Sequence, residues 1–195
     1  PTRRSSDLGR MKEVIIIALC AGPVGFGFFF LGLALSNASV VAVTLCFAGD
    51  ALLLGDSEPH FLAGLGAFAV GHLGYVLTAV IVGISIGRIW PALIFLLILL
   101  GYRFVTHTLP GARQAGGPPM AIAVGGYAVV ISLMVLSATG TGNWAAAIGA
   151  MLFAVSDWII GYTRFVRRFP HDGAAVMATY HTGQLLLIAG LIAAG

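Results

Sequence analysis

Seven long apolar runs, separated by short polar segments, make up most of the chain. Each run is close to the ~20 residues that a helix needs to cross a bilayer. The runs lack the strict alternation of apolar and polar positions that is typical of barrel strands. They therefore predict an all-α membrane protein, a bundle of about seven transmembrane helices. The predicted spans are residues 14–35, 38–54, 61–86, 89–104, 119–138, 144–163 and 173–194.

The composition supports this prediction. Of the 195 residues, 59% are hydrophobic and only 9% are charged. A soluble domain must present a largely polar surface to water, so this composition indicates an integral membrane protein. Cys20 and Cys46 both lie in apolar runs, and we interpret them as small core residues rather than as a disulfide framework.

The predicted organisation is a polar segment at residues 1–10 followed by a single polytopic transmembrane domain at residues 11–195. No cleavage site follows the first apolar run, so residues 1–10 are not predicted to be a signal peptide. Two interpretations of this segment remain open. It is either sequence added for expression or the edge of a truncated reading frame.

The Lys and Arg residues predict an orientation. In a seven-span arrangement nine of the ten lie on one side of the membrane, and only Arg88 lies on the other. The positive-inside rule then places the N-terminus in the cytoplasm and the C-terminus outside. No basic cluster is interleaved with aromatic residues, so no nucleic-acid partner is predicted.

Two carboxyl groups lie inside the predicted spans. Of the seven acidic residues, only Asp50 and Asp157 fall within apolar runs. A carboxyl group is costly in lipid, so each should face a protein interior or a wet cavity and is a functional candidate. At about 1.5 Å per residue, both lie ~7 to ~10 Å from the predicted cytoplasmic ends of their spans. We therefore predict that they meet in one intramembrane pocket, the alternative being a structural pair capped by hydroxyl groups.

Other polar side chains are predicted at a similar or somewhat greater depth. His72 and Tyr75 share one face of the third span, and Tyr180 and Gln184 share one face of the last. The functional interpretation is that these side chains position substrate or water beside the carboxyl groups. The alternative is a packing face held by interhelical hydrogen bonds.

At the predicted cytoplasmic rim, Arg164 is a candidate for binding a lipid phosphate. The alternative is a positive-inside signal or a contact with anionic lipid. Asp56, Glu58 and His60 are interpreted as a solvated turn rather than a metal site. No motif of serine hydrolases, zincins or nucleotide-binding loops occurs. Neither a metal nor a cofactor is predicted.

From Lys12 onward, these residues resemble the YhhN-like lysoplasmalogenases in order and spacing. The matching pieces are Gly49-Asp50 with Leu53, Phe61-x-x-Gly64-x-x-x-Phe68-x-x-Gly71-His72-x-x-Tyr75, Gly149-Ala150-x-x-Phe153-x-x-Ser156-Asp157 with Arg164-Phe165, and Tyr180-x-x-x-Gln184. Members of that family usually have eight spans, with Lys-Pro opening the second. Lys12-Glu13 stands in that place, so the resemblance implies that the family's first helix is missing and that residues 1–10 stand in its position.

The resemblance implies hydrolysis of the vinyl ether bond of lysoplasmalogens to a fatty aldehyde and a glycerophospho-ethanolamine or -choline. Such a bond breaks by protonation at carbon, which gives an oxocarbenium ion that water captures. Glycosidases solve a related problem with two carboxyl groups. We expect one of Asp50 and Asp157 to donate the proton and the other to stabilise the cation or activate water. The sequence leaves open which of them is the acid.

Other functions remain open. A small proton-coupled transporter or channel could use the same two carboxyl groups as a relay. A metal-dependent hydrolase could use Asp50, Asp157 and His72 as ligands, and a lipid-binding protein could hold substrate without turnover. The expected partners are a lysoplasmalogen substrate and membrane lipids, with the oligomeric state left open. The Ala- and Gly-rich composition favours a bacterial cytoplasmic membrane.

Overall fold

The computed structural model describes residues 37–55 and 57–195, and all regular secondary structure in these ranges is helical. The elements are α1 (Asn37–Leu53), α2 (Glu58–Val82), a 3-10 turn (Ile86–Arg88), α3 (Trp90–Leu96), a π-helical segment (Leu97–Thr108), α4 (Leu109–Gly140), α5 (Trp144–Phe165) and α6 (Asp172–Ala194).

Four helical stretches of the described chain are long and apolar enough to cross a membrane. They are Glu58–Val82, Trp90–Gly140, Trp144–Phe165 and Asp172–Ala194. A shorter apolar helix, Val41–Leu53, belongs to α1. The prediction of an all-α protein with apolar, membrane-type helices is therefore confirmed.

Most predicted spans that fall on described residues coincide with helices. The second, sixth and seventh spans match α1, α5 and α6 to within a few residues. The third span was predicted to reach residue 86, but α2 ends at Val82. Gly83 caps this helix with a φ of 113°, a conformation that glycine adopts without strain. The first span and the polar segment at residues 1–10 lie outside the described residues.

The predicted loop between residues 104 and 119 is wrong over most of its length, and the break between helices is confined to Gly116 and Gly117. The chain is helical from Trp90 to Gly140, with one interruption at Gly116 and Gly117. Gly117 has a φ of 70°, and two prolines follow it. Proline suits the first turn of a helix, so a new helical stretch begins there. The polar residues after residue 104 mark the end of an apolar run, but they do not stop the backbone from remaining helical.

Glycines allow close approach within the bundle. α5 packs against α6, and a Cβ placed on Gly183 would lie 2.8 Å from the backbone nitrogen of Phe153 and 2.9 Å from the carbonyl oxygen of Gly149. α1 packs against α2 at Gly71, where a Cβ would lie 3.0 Å from the Cys46 sulfur. Small residues bring helices together where no hydrophobic drive exists between them. Cys46 is buried here, as predicted.

The central helix of the bundle is α4, which packs against both α2 and α5. It carries Ile131, Met134 and Val135 into a core shared with Phe153 and Leu187. This arrangement brings one face of each of α1, α2, α4, α5 and α6 toward the same interior. Polar side chains on those faces are therefore available to one another.

We expect Gly183→Ala to lower the free energy of unfolding in detergent by about 1–3 kcal/mol, because the added methyl group overpacks the α5–α6 contact. The matched control is Gly66→Ala, since a Cβ on Gly66 meets nothing within 4 Å. That variant should leave the free energy unchanged or raise it by up to about 1 kcal/mol through helix propensity. Titration with SDS, followed by tryptophan fluorescence, measures both values. Equal effects of the two substitutions would contradict the packing account.

Candidate functional site

Asp157 of α5 is held between α2 and α4. The Tyr127 hydroxyl of α4 donates a hydrogen bond to Oδ2 of Asp157. From α2, Nε2 of His72 lies 3.9 Å from the same oxygen. This carboxyl group therefore meets one hydrogen-bond donor and one imidazole within an otherwise apolar part of the bundle.

The tautomer of His72 follows from its surroundings. The side chain is completely buried, and its Nδ1 lies 2.5 Å from the carbonyl oxygen of Phe68. A carbonyl oxygen only accepts, so Nδ1 carries the proton and Nε2 presents its lone pair. Among the described residues, Nε2 has no hydrogen-bond partner. His72 therefore turns an acceptor toward Asp157.

Asp50 of α1 has a corresponding partner on another helix. The Tyr180 hydroxyl of α6 donates a 2.8 Å hydrogen bond to Oδ2 of Asp50. The two residues are 130 positions apart in the chain. Each intramembrane carboxyl group predicted from the sequence is thus bonded by a tyrosine from a different helix.

An aromatic cluster connects the surroundings of the two carboxyl groups. The Phe153 ring lies 4.7 Å from the His72 ring and 5.0 Å from the Tyr180 ring, measured between centroids. The Phe68 ring lies 6.2 Å from His72 and 6.3 Å from Tyr180. The two carboxyl groups therefore belong to one neighbourhood of the fold.

The two carboxyl groups nevertheless line two adjoining cavities rather than the one pocket predicted from the sequence. Asp157 lines a cavity of about 60 Å³, and Asp50 lines one of about 300 Å³. Leu53, Phe68 and Ile160 line both and form their shared wall. The sequence pattern predicts a depth for each aspartate, but it does not show which side chains line the space around each of them.

The two cavities differ in chemical character. The first, called the apolar cavity, is lined mainly by hydrocarbon and aromatic side chains, among them Phe61, Leu65, Leu100, Phe104, Val124 and Ile131. The second, called the polar cavity, has Thr163, Arg168, Asp172 and His181 in its wall beside Asp50. The polar cavity also has Leu54, Val176 and Met177 in its wall, so it is the more polar of the two cavities rather than a polar one throughout.

Tyr75 and Gln184 are bonded to each other rather than to a carboxyl group. Nε2 of Gln184 lies 2.5 Å from the Tyr75 hydroxyl oxygen and donates to it. Both residues are buried, and the Tyr75 ring lies 6.4 Å from the His72 ring. This pair stands behind His72, so it supports the imidazole and joins α2 to α6.

Arg164 packs on Phe61 rather than in the wall of a cavity beside either aspartate. Its guanidinium carbon is 4.0 Å from the centroid of the Phe61 ring, and the residue lines neither of the two cavities. Arg168, four residues later, lines the polar cavity instead. The sequence analysis assigned Arg168 no site of its own.

Tyr127 is a second residue that the sequence analysis missed. It lies in an apolar part of α4, and its hydroxyl needs a hydrogen-bond partner when buried. That requirement could have indicated Tyr127 as a partner of an aspartate, because few buried acceptors other than backbone carbonyls were predicted. The partner itself could not be named without knowing that α4 packs beside α5.

The candidate metal sites gain no support from the geometry. Within residues 37–55 and 57–195, no three His, Cys, Asp or Glu side chains lie close enough together to hold a metal ion. Of the other candidate set, Asp56 is outside the described residues. His60 Nδ1 lies 2.6 Å from the Ser57 hydroxyl oxygen at the exposed start of α2.

Comparison with known sequences identifies the family. The sequence model of the YhhN family matches residues 11–191, which is nearly the whole chain. The chain belongs to the YhhN family. No solved structure matches it.

Curated relatives of this YhhN-family chain carry the name lysoplasmalogenase. Human lysoplasmalogenase TMEM86B is 30% identical over 149 residues, covering 75% of this chain and 59% of the human protein. The pig TMEM86B protein is 30% identical, covering 77% of this chain and 62% of its own length. Bovine lysoplasmalogenase TMEM86A is 31% identical, with coverages of 77% and 64%. The chain thus spans about three fifths of the length of these relatives.

We expect Tyr75 and Gln184 to show energetic coupling. Gln184→Leu leaves a buried hydroxyl without its donor and should cost about 1–3 kcal/mol of unfolding free energy. Combined with Tyr75→Phe, the loss should be smaller than the sum of the single losses by at least about 0.5 kcal/mol. SDS unfolding of the three variants measures the cycle. Gln184→Leu combined with Tyr102→Phe, at an exposed tyrosine, is the additive control. Additivity in both cycles would contradict the assigned bond.

Proposed function

We propose that this YhhN-family chain hydrolyses the vinyl ether bond of lysoplasmalogens, releasing a fatty aldehyde and glycerophospho-ethanolamine or -choline. The naming of its relatives supports the substrate class. One structural observation carries the proposal. Two carboxyl groups, each bonded by a tyrosine, line an apolar and a polar cavity that share a wall.

The proposal includes the topology predicted from the sequence. Seven spans place the N-terminus in the cytoplasm and the C-terminus outside, and a bacterial cytoplasmic membrane is the proposed location. Both cavities then lie in the cytoplasmic half of the bilayer, since Leu53 and Ile160 are near the ends of α1 and α5 that face the Arg-rich side.

The two cavities match the two halves of a lysoplasmalogen. The apolar cavity receives the vinyl ether end of its single alkenyl chain, and the polar cavity receives its glycerophospho headgroup. The vinyl ether joins these halves, so it would lie at the shared wall formed by Leu53, Phe68 and Ile160. In this position the bond comes between Asp157 on one side and Asp50 on the other.

The surroundings distinguish the roles of the two aspartates. Asp157 lines the apolar cavity, where a charged carboxylate is costly, and we assign the catalytic proton to it. Asp50 lines the polar cavity, which suits a carboxylate that activates water. Two carboxyl groups of one site divide acid and base work in this way when their environments differ.

The proposed reaction balances without any other reactant than water. Asp157 gives its proton to the second carbon of the alkenyl chain, and the ether oxygen shares its lone pair with the first carbon. The resulting oxocarbenium ion lies beside the Asp157 carboxylate. Asp50 takes a proton from water as the water oxygen bonds to the first carbon. The hemiacetal then collapses: Asp50 returns its proton to the leaving glycerol oxygen, and Asp157 recovers one from the hemiacetal hydroxyl.

The remaining predicted residues take positioning roles in this proposal. Tyr127 and Tyr180 orient the carboxyl groups that they contact. His72 accepts on the side facing Asp157, and the Tyr75–Gln184 pair stands behind it. Arg164 remains a prediction as a phosphate contact.

Asp157→Asn and Asp50→Asn should each reduce aldehyde release by at least about 10³-fold, because an amide can neither donate this proton nor accept one from water. Both variants should remain folded by gel filtration in detergent. The measurement uses a lysoplasmenyl lipid beside its saturated ether analogue, which cannot form the oxocarbenium ion and should yield no aldehyde.

The matched control for these substitutions is Glu58→Gln, the same carboxyl-to-amide change at an exposed position of α2. It should retain wild-type turnover. Near-wild-type turnover in both aspartate variants, or aldehyde release from the saturated analogue, would refute the proposed mechanism.

Tyr127→Phe should lower kcat by about 10- to 100-fold, since a hydrogen bond to a charged group contributes about 1.5–3 kcal/mol and this one stabilises the Asp157 carboxylate that forms. KM should change little. Tyr102→Phe, at an exposed tyrosine, makes the same chemical change and should leave both constants unaltered. Equal kcat values for the two variants would remove Tyr127 from the mechanism.

A further inference from the structure

We propose that Arg168 and Asp172 form a subsite for a zwitterionic lipid headgroup, in which Arg168 binds the phosphate and Asp172 binds the ammonium group. The inference deepens the proposed function and rests on it. It concerns the polar cavity that Asp50 lines, and it assigns the headgroup to residues different from Arg164.

The pair is built rigidly. Nε of Arg168 donates to Oδ2 of Asp172 at 2.8 Å, and Nη2 donates to Oδ1 at 3.1 Å. Such a two-point contact fixes the plane of the guanidinium group. The backbone nitrogen of Gly173 donates to Oδ1 of Asp172 at 2.8 Å and anchors the carboxylate. The orientation of Arg168 is therefore set by the start of α6.

Burial separates the tasks of the two residues. The Asp172 side chain is only 11% exposed, whereas the Arg168 side chain is 67% exposed. Both residues line the polar cavity, and the guanidinium is much the more exposed of the two groups. An exposed arginine that is held in one orientation loses less entropy on binding a phosphate than a mobile one.

The position of the pair fits a headgroup whose ether end lies between the aspartates. Asp172 precedes Tyr180 by eight residues on the same helix, a rise of about 12 Å. Tyr180 bonds Asp50, and all of these residues line the polar cavity. This length is comparable to that of an extended glycerophosphoethanolamine.

The charges of the pair favour a zwitterion over an anion. A ligand with only a phosphate would gain Arg168 but would also meet the charge of Asp172 beside it. A phosphoethanolamine or phosphocholine group places opposite charges against both. Electrostatic complementarity of this kind gives selectivity more than raw affinity. The headgroup ranking is therefore the property that this pair should control.

The test measures aldehyde release by the purified chain in a nonionic detergent, where no bulk phospholipid competes. The two substrates are a lysoplasmenylethanolamine and the corresponding lysoplasmenyl phosphate, which lacks the amine. Arg168→Gln should raise KM for both substrates by about five- to 30-fold with kcat nearly unchanged. The rise in KM is no larger because Arg168 is exposed to solvent, which weakens its contact with the phosphate. Arg168→Lys keeps the positive charge but not the two-point contact of the guanidinium group. Its KM values should lie between those of the wild-type chain and Arg168→Gln.

Asp172→Asn should reduce or reverse the preference, measured as kcat/KM, for the lysoplasmenylethanolamine over the lysoplasmenyl phosphate. The control is Arg167→Gln, because Arg167 bonds the Tyr162 hydroxyl and does not line the polar cavity. It should keep both KM values. An unchanged ranking in Asp172→Asn, or an Arg168→Gln variant that behaves like Arg167→Gln, would overturn the subsite.

A binding measurement keeps this inference separate from the catalytic one. Titration calorimetry with soluble glycerophosphoethanolamine should show binding to the wild-type chain and at least fivefold weaker binding to Arg168→Gln. Inorganic phosphate should bind the wild-type chain more weakly than glycerophosphoethanolamine does. This result without aldehyde release would defeat the proposed function and leave the subsite standing. If the wild-type chain released aldehyde but bound glycerophosphoethanolamine no more tightly than Arg168→Gln, the subsite would be refuted and the proposed function would stand.

Discussion

A carboxyl group inside an apolar helix bundle needs a hydrogen-bond donor from another helix, and both intramembrane aspartates of this chain obtain one from tyrosine. Tyr127 links α4 to Asp157 on α5, and Tyr180 links α6 to Asp50 on α1. Without these bonds each carboxyl group would be buried at a cost of several kcal/mol. The two bonds therefore connect the packing of four helices to the placement of the site.

Phe68 lies in the wall between the cavity that Asp157 lines and the cavity that Asp50 lines, so the two carboxyl groups have different surroundings. Its ring lies near those of His72 and Tyr180, and it lines both cavities. The aspartates on either side of this wall have the same chemistry but different surroundings. A division of acid and base roles needs no cofactor when the environments differ in this way. The proposed reaction uses such a division.

The sequence predicted the helical architecture and the aspartates because a carboxyl group in an apolar run is rare and costly. It also placed Tyr180 and Gln184 on one helix face through their spacing of four. It failed after residue 104, where loss of apolar character did not end the helix; the interruption comes later, at Gly116 and Gly117. Tyr127 and the separate cavities were not predictable, since they depend on which helices are neighbours and on how Phe68 packs between them.

The central claim is that a fixed, buried carboxylic acid protonates carbon from one side. The most direct measurement runs the reaction in D2O, reduces the aldehyde to the alcohol as it forms, and determines the deuterium at the second carbon. The account predicts one deuterium per molecule in a single configuration, because the acid reaches only one face of the double bond. A racemic product, or an alcohol without deuterium at that carbon, would contradict it.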